Sequence, residues 1–231
     1  MRISKEQMLK RVGDDTCWRV EFFRSFNREK INTIYMKIKG FISFWFFLTF
    51  GLLIAGCSEK NPVVLMKTEL GDIKIEIYEK QAPVTAANFL KYVDEQRYAG
   101  AHFYRVVTIN NQPEDSVKIQ VIQGGLGFEE TDIRLAPIEH ETTRMTGLRH
   151  KDGVISMARL EPGTTTCEFF ICVGDQPELD YGGKRNPDGQ GFAAFGRAIQ
   201  GMDVVKKIHQ QPVEGQMLLE KIMIHGIRRI K

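Results

Sequence analysis

The sequence predicts a mainly β fold, a closed eight-stranded antiparallel barrel capped by two α-helices. Three observations lead there. After residue 62, strand-type runs recur eight times, alternating or β-branched and bounded by Gly, Pro, Asn or Asp. Only two runs carry a helical period, too few and too separated to supply the crossovers of a parallel sheet. Closure into a barrel also removes the free edges that an open antiparallel sheet would expose. The composition, 42% hydrophobic and 26% charged, is that of a globular chain. No internal repeat or low-complexity tract is present.

The elements follow in order. Residues 63–79, VVLMKTELGDIKIEIYE, hold two alternating runs that meet at Leu70-Gly71-Asp72, a hairpin signal. Residues 82–96 read as a helix, with Pro83 in the first turn and Val84, Ala87, Phe89, Leu90, Tyr92 and Val93 on one face. Phe103–Val107 and Val117–Ile122 are strands, parted by a polar connector containing Asn110, Asn111 and Pro113. Residues 129–152 form a long loop. Strands follow at 153–160 and 168–174, then a loop rich in Asp, Gly, Pro and Asn at 175–191. The chain ends with a strand at 191–199, a short helix at 201–210 opened by Asp203, and a strand at 218–230. Residues 63–231 therefore read as one domain.

The N-terminal quarter reads differently. Residues 1–40 carry ten basic and five acidic side chains, and residues 41–56 carry none. The rest is mildly acidic, which leaves no basic stripe for nucleic acid. Residues 36–56 read as a signal peptide. Lys37 and Lys39 make its basic start, and Phe41–Ala55 is an apolar run shorter than the roughly 20 residues of a spanning helix. The run ends in Leu-Ile-Ala-Gly-Cys, which resembles the lipobox of bacterial lipoproteins. That resemblance implies cleavage before Cys57, lipid attachment to its thiol, and a tether over residues 57–62. The alternative is an uncleaved membrane anchor. Residues 1–35 do not suit the front of a signal peptide, and Met36 is a natural start. They are expected to be a leader that is not made, the alternative being a long n-region.

The remaining cysteines and histidines offer no metal chemistry. Cys17 lies in the leader. Cys167 and Cys172 are an odd number of residues apart in a strand-like run and so face opposite sides, which disfavours a disulfide between them. No Cys/His spacing suits zinc. The five histidines are scattered and read as surface or packing residues.

Two polar residues stand out in apolar strands. Strand alternation places Phe103, Arg105 and Val107 on one face, and Val121 and Gln123 likewise. Taken alone, a strand arginine is usually a solvated or ion-paired surface residue, and Gly124-Gly125 can be a plain bulge.

The order of motifs changes that. TELGDIKIEIYEKQAPVTAANFLKYV, FYRVV, IQGG, GVISMAR, EFFICVG and GFAAFGRAIQGMDVV succeed one another as in cyclophilins, which are peptidyl-prolyl cis-trans isomerases. The resemblance spans residues 63–230, and PIEHETTRMTGLRHKDGVISMAR is most similar to the exported bacterial branch. It implies the barrel counted above, no cofactor and no metal. It also implies site residues. Arg105 would be the central catalytic group, with Gln123 orienting it. Phe170 would floor a proline pocket with Val121, Leu179 and Phe195 as walls and Phe192 near its rim. Ala158, Arg159 and Leu160 would line an extended groove for the substrate backbone.

The sequence departs from the family in the long connector 108–120 and in five substitutions, one of them Phe192 where some members have a histidine. Gln120 and Val121 replace an aromatic residue and a methionine, removing apolar area. Glu168 replaces a glutamine and brings a charge near Arg105, to orient it or to compete for it. Glu178 replaces a tryptophan, which implies poor cyclosporin binding. Two functions stay open. One is an isomerase acting on proline-containing, unfolded or flexible exported polypeptides, lipid-anchored in the bacterial envelope, periplasm-facing, with the outer membrane favoured by Ser58. The other is a catalytically weak module that binds proline-containing segments or a partner protein. A monomer is expected.

Overall fold

Alternation in the first thirty residues of the domain builds its first hairpin. Strand β1 (Val63–Thr68) pairs antiparallel with β2 (Gly71–Ile77), placing Val64 opposite Ile75 and Met66 opposite Ile73, all fully buried. Gly71, at φ +134°, makes the turn. The computed structural model describes residues 60–127 and 131–230, with Met36 besides. The leader, the signal peptide and Cys57 lie outside the described residues, and residues 60–231 form a compact unit of their own.

Helix α1 (Pro83–Asp94) follows and turns Phe89, Leu90, Tyr92 and Val93 inward. Its first residue is proline and its own N-cap residue, Ala82, supplies no side-chain bond. The missing cap comes from the distant loop: Glu141 accepts from the backbone N–H of Val84 (3.2 Å) and of Thr85 (2.7 Å) and from the Thr85 hydroxyl (2.7 Å). A carboxylate there satisfies orphan donors and meets the positive end of the helix.

The remaining elements are β3 (His102–Val107), β4 (Val121–Gly125), the single turn α2 (Thr143–Thr146), β5 (Val154–Met157), β6 (Phe169–Cys172), β7 (Ala193–Gln200), α3 (Met202–His209), β8 (Val213–Glu214) and β9 (Met217–Ile230). The sheet runs β1-β2-β7-β5-β6-β4-β3-β9, and β9 returns to β1, so eight antiparallel strands close into a barrel. The two-residue β8 only folds back on β9. Helix α3 buries Val204, Val205 and Ile208. Barrel closure and the two longer helices match the expected architecture; α2 and β8 are additions to it.

Two expectations about strands are corrected. The run expected at 117–122 pairs only from Val121 and continues to Gly125. Residues before Val121 leave the ladder because side-chain amides satisfy their backbone. Ile119 donates to Gln112 Oε1 (3.2 Å) and accepts from Gln112 Nε2 (2.8 Å), while Gln120 N–H donates to Gln176 Oε1 (3.2 Å). Phe103 also does not share a face with Arg105. The register of β3 shifts between them, with Phe103 opposite Gly124 and Arg105 opposite Gln123, so Tyr104 is an extra residue in a β-bulge. Phe103 and Val106 point into the barrel core, whereas Val107 joins a second, smaller apolar cluster.

The larger cluster fills the barrel with Ile73, Ile75, Phe89, Ile122, Ile155, Phe169, Ile171 and their neighbours. The smaller one, of Val107, Ile119, Val121, Phe170, Cys172 and Leu179, lies on the other side of the sheet. Cys167 belongs to the first and Cys172 to the second, and both are free thiols on opposite sides of the sheet.

Candidate active site

Strand registry assembles the site. Across four neighbouring strands Arg105 pairs with Gln123, Gln123 with Phe170, and Phe170 with Ser156. This transverse row runs along the face opposite the core, so a guanidinium, an amide and an aromatic ring lie side by side on rigid backbone. The bulge at Tyr104 turns Arg105 to this face while leaving Phe103 in the core.

Arg105 is held from two sides. Its Nη1 donates to Gln123 Oε1 (2.9 Å), and its Nε (3.0 Å) and Nη2 donate to Gln216 Oε1. Gln216 is itself tied down, Nε2 donating to the carbonyl of Asn111 (3.2 Å). Arginine has five N–H donors. Among the described residues, one N–H on each terminal nitrogen is left for a ligand. Burial first, and then the nearby Arg185 cation, lower the Arg105 pKa from its ordinary value. A guanidinium titrates so high that it stays charged regardless.

The apolar seat beside it is Phe170, 4% exposed. Val121, Ile119 and Leu179 pack with it, and Phe192 stands edge-on to its ring at 5.2 Å between centroids. Ile119 is an addition to the expected seat. It supplies apolar surface where Gln120 suggests a loss. Phe195, expected as a wall, is fully buried in the barrel core, 5.0 Å from the Phe89 ring. Ala194, not Phe195, stands opposite Ser156 in the row, which sends Phe195 inward.

Behind the seat lies a buried polar set that the scattered histidines do not suggest. The His150 ring stacks on Phe170 at 6.0 Å, with its Nδ1 2.8 Å from Asp180 Oδ1 and its Nε2 3.0 Å from Ser156 Oγ. Burial would raise the Asp180 carboxyl, but the side-chain and backbone hydrogen bonds from His150 outweigh it and hold the pKa below the ordinary value.

The expected groove is present in part. Ala158, Arg159 and Leu160 line a cavity of about 240 Å³ that also touches Gln123 and Glu168. Leu160 is 89% exposed. The Arg159 side chain turns inward instead, pairing with Asp188 at 2.8 Å and lying over the Phe192 ring. A larger cleft, about 540 Å³, lies between α1 and β9 and contains none of the row.

Glu168 does not contact Arg105. Its Oε2 accepts from the Tyr104 hydroxyl (2.6 Å) and its Oε1 from the backbone N–H of Leu126 (3.0 Å) and Gly127 (3.1 Å). The long connector is likewise stitched in place. Arg185 donates to Gln112 Oε1 (3.0 Å) and to the carbonyl of Val117 (2.7 Å), and pairs with Asp115 (3.0 Å). Gln216 and Arg185 have no signal in the sequence because they act across long chain separations, and Gln112, which reaches Thr108 and Ile119 nearby, belongs to no local period.

A barrel with a fixed guanidinium beside an apolar seat is suited to gripping an apolar ring while offering hydrogen bonds to the polar atoms attached to it. The comparisons place that class. The family model for cyclophilin-type peptidyl-prolyl cis-trans isomerases matches residues 63–229. A peptidyl-prolyl cis-trans isomerase of Acinetobacter baylyi is 40% identical over 166 residues, covering 70% of this chain and 79% of its own. Peptidyl-prolyl cis-trans isomerase B of Escherichia coli is 34% identical, covering 70% of this chain and 99% of its own. A crystal structure of a Cryptosporidium parvum cyclophilin-type isomerase, determined in the presence of the dipeptide Ala-Pro, shares the fold with a TM-score of 0.59 at 22% identity, covering 73% of this chain and 99% of that one. The chain belongs to the cyclophilin-type peptidyl-prolyl cis-trans isomerase family and is an enzyme of that activity.

Proposed function

We propose that this isomerase accelerates X–Pro rotation through Arg105, with the proline ring seated on Phe170. The amide is planar by resonance, with a rotation barrier of about 18–20 kcal/mol, and uncatalysed exchange takes tens to hundreds of seconds. No covalent intermediate is required. The catalyst must bind the twisted amide better than either planar form. In the twisted state the prolyl nitrogen recovers its lone pair, and a guanidinium N–H can donate to it. A donor fixed in advance costs no reorganisation at that moment.

The observation that carries this reading is the row Arg105–Gln123–Phe170, with the guanidinium held by two glutamine oxygens and, among the described residues, two of its N–H groups left over. Val121, Ile119, Leu179 and Phe192 complete the seat, and the Ala158–Leu160 backbone provides an extended groove with little sequence preference. The rival reading, a binding module without useful turnover, is motivated by the long connector and by Glu168. Glu168 bonds to Tyr104, Leu126 and Gly127 and not directly to Arg105, and the connector supports Arg105 through Asn111 and Gln216, which favours catalysis.

The substrates in this reading are proline-containing segments of exported proteins. The enzyme would work in the bacterial envelope as a monomer, held to the periplasmic face, and of the outer more than the inner membrane, by a lipid on Cys57. The sequence of residues 36–58 supports the anchor. Labelling with radioactive palmitate, present in the native chain and lost in Cys57→Ser, tests it.

The catalytic claim is tested on residues 60–231. Residues 60–231 form a compact unit, and 70% of this chain matches 99% of the length of the Escherichia coli relative, so the domain is the natural fragment to express. Exchange NMR on an Ala-Pro peptide is expected to give strong acceleration by the native domain and a loss of about a hundredfold or more in Arg105→Ala. A folded native domain without acceleration would return the binding module to first place.

A further inference from the structure

We propose that Tyr104 and Glu168 form a directional hydrogen-bond relay that sets which end of the Gln123 amide faces Arg105. Both are thus positioning residues for the reaction. The inference rests on the reading of Arg105 as the catalytic group.

The relay is continuous. Arg105 Nη1 donates to Gln123 Oε1 (2.9 Å), Gln123 Nε2 donates to the Tyr104 hydroxyl (2.8 Å), and that hydroxyl donates to Glu168 Oε2 (2.6 Å). Its direction follows from counting protons. A hydroxyl has one hydrogen, and an ionised carboxylate can only accept. Once that hydrogen goes to Glu168, Tyr104 can only accept from Gln123. The amide must then present its nitrogen to Tyr104 and its oxygen to Arg105. The phenol keeps its proton for this purpose: burial first, and then the Glu168 charge, push its pKa up.

The carboxylate is built in. Its second oxygen takes the N–H groups of Leu126 and Gly127 and lies 3.3 Å from Cys167 Sγ and 3.5 Å from Arg134 Nη1. Gly125, at φ +149°, leaves open the space that Glu168 fills, since a Cβ there would overlap the carboxylate. Tyr104 reaches Glu168 because the bulge in β3 frees it from the strand's alternation. The glutamine that the resemblance expects at position 168 would lack this polarity. A neutral amide can offer Tyr104 either its oxygen or its nitrogen, so the hydroxyl could turn either way. Low solvent access makes the difference matter, since hydrogen bonds in a chain reinforce one another where water is excluded.

The test uses residues 60–231 as native protein, Glu168→Gln, Tyr104→Phe, the double variant and Arg105→Ala, with kcat and KM for an Ala-Pro peptide and the side-chain NH₂ resonances of Gln123 in 1H–15N spectra. Each single variant is expected to lose about tenfold in kcat. KM should stay within about twofold, because the seat is untouched. The double variant should lose no more than the worse single one, since the links act in series. The Gln123 resonances should move in all three. Unchanged kcat and unchanged Gln123 resonances in both single variants, with Arg105→Ala inactive, would overturn the relay and leave the catalytic reading standing. Were the native domain itself inactive, that reading would fall, and the Gln123 resonances alone would decide the relay. Should Tyr104→Phe fail to fold, the isosteric Glu168→Gln decides it by the same two readouts.

Discussion

Phe169 and Phe170 are neighbours in sequence and lie on opposite sides of β6. One is wedged among Phe89, Tyr98 and Phe103, and the other carries the seat. The same division separates Phe195 from Phe192, and substitution should separate their effects. Phe195→Ala removes a fully buried ring from the core and is expected to cost about 3–5 kcal/mol in urea unfolding. Phe192→Ala, at the edge of the seat, should cost far less stability and instead raise KM for a proline peptide. Arg105 and Gln123 stand out in the sequence because each interrupts a short apolar strand, but their roles, and that of Phe170, come from the order of motifs and not from strand pattern. The inward turn of Phe195 is not legible there, since an irregular register between β5 and β7 sets its direction, and alternation counted along one strand cannot reveal that.

Several elements are completed by residues far away in the chain. Helix α1 has an alanine before its first turn and borrows its cap from Glu141. Glu141→Ala is expected to lower stability by about 1–2 kcal/mol, read as a drop in melting temperature, with kcat unaffected. The connector 108–120 shows why β4 starts later than its residue types suggest. Val117 and Ile119 look like strand residues, but the Gln112 amide takes the hydrogen bonds of Ile119 that a neighbouring strand would have supplied. A side chain that imitates a strand leaves no mark on local hydrophobic pattern. Alternation and turn chemistry do, by contrast, place the barrel strands that pair fully with neighbours to within a few residues.

At the scale of the whole molecule, acid is expected to loosen the domain through Asp180. Its carboxyl is held below the ordinary value in the folded state, so it favours folding above the unfolded value of about 4, and this contribution is lost as pH falls through the folded value. Asp180→Asn should therefore be less stable than the native domain at neutral pH, by about 1–3 kcal/mol. The difference should shrink toward zero as pH falls through the folded value, as followed by thermal melts across pH.

The barrel is shut by its first strand meeting its last, Val63 lying opposite Ile230. A ribosome delivers these two strands about 150 residues apart. Until the final residues of β9 emerge, β1 has only one of its two partners and β3 lacks β9 on one side. Until then the nascent chain can form hairpins but not the enclosed core. An isomerase of this fold is thus committed, by the order of its own strands, to enclose its core only once its last strand has been made.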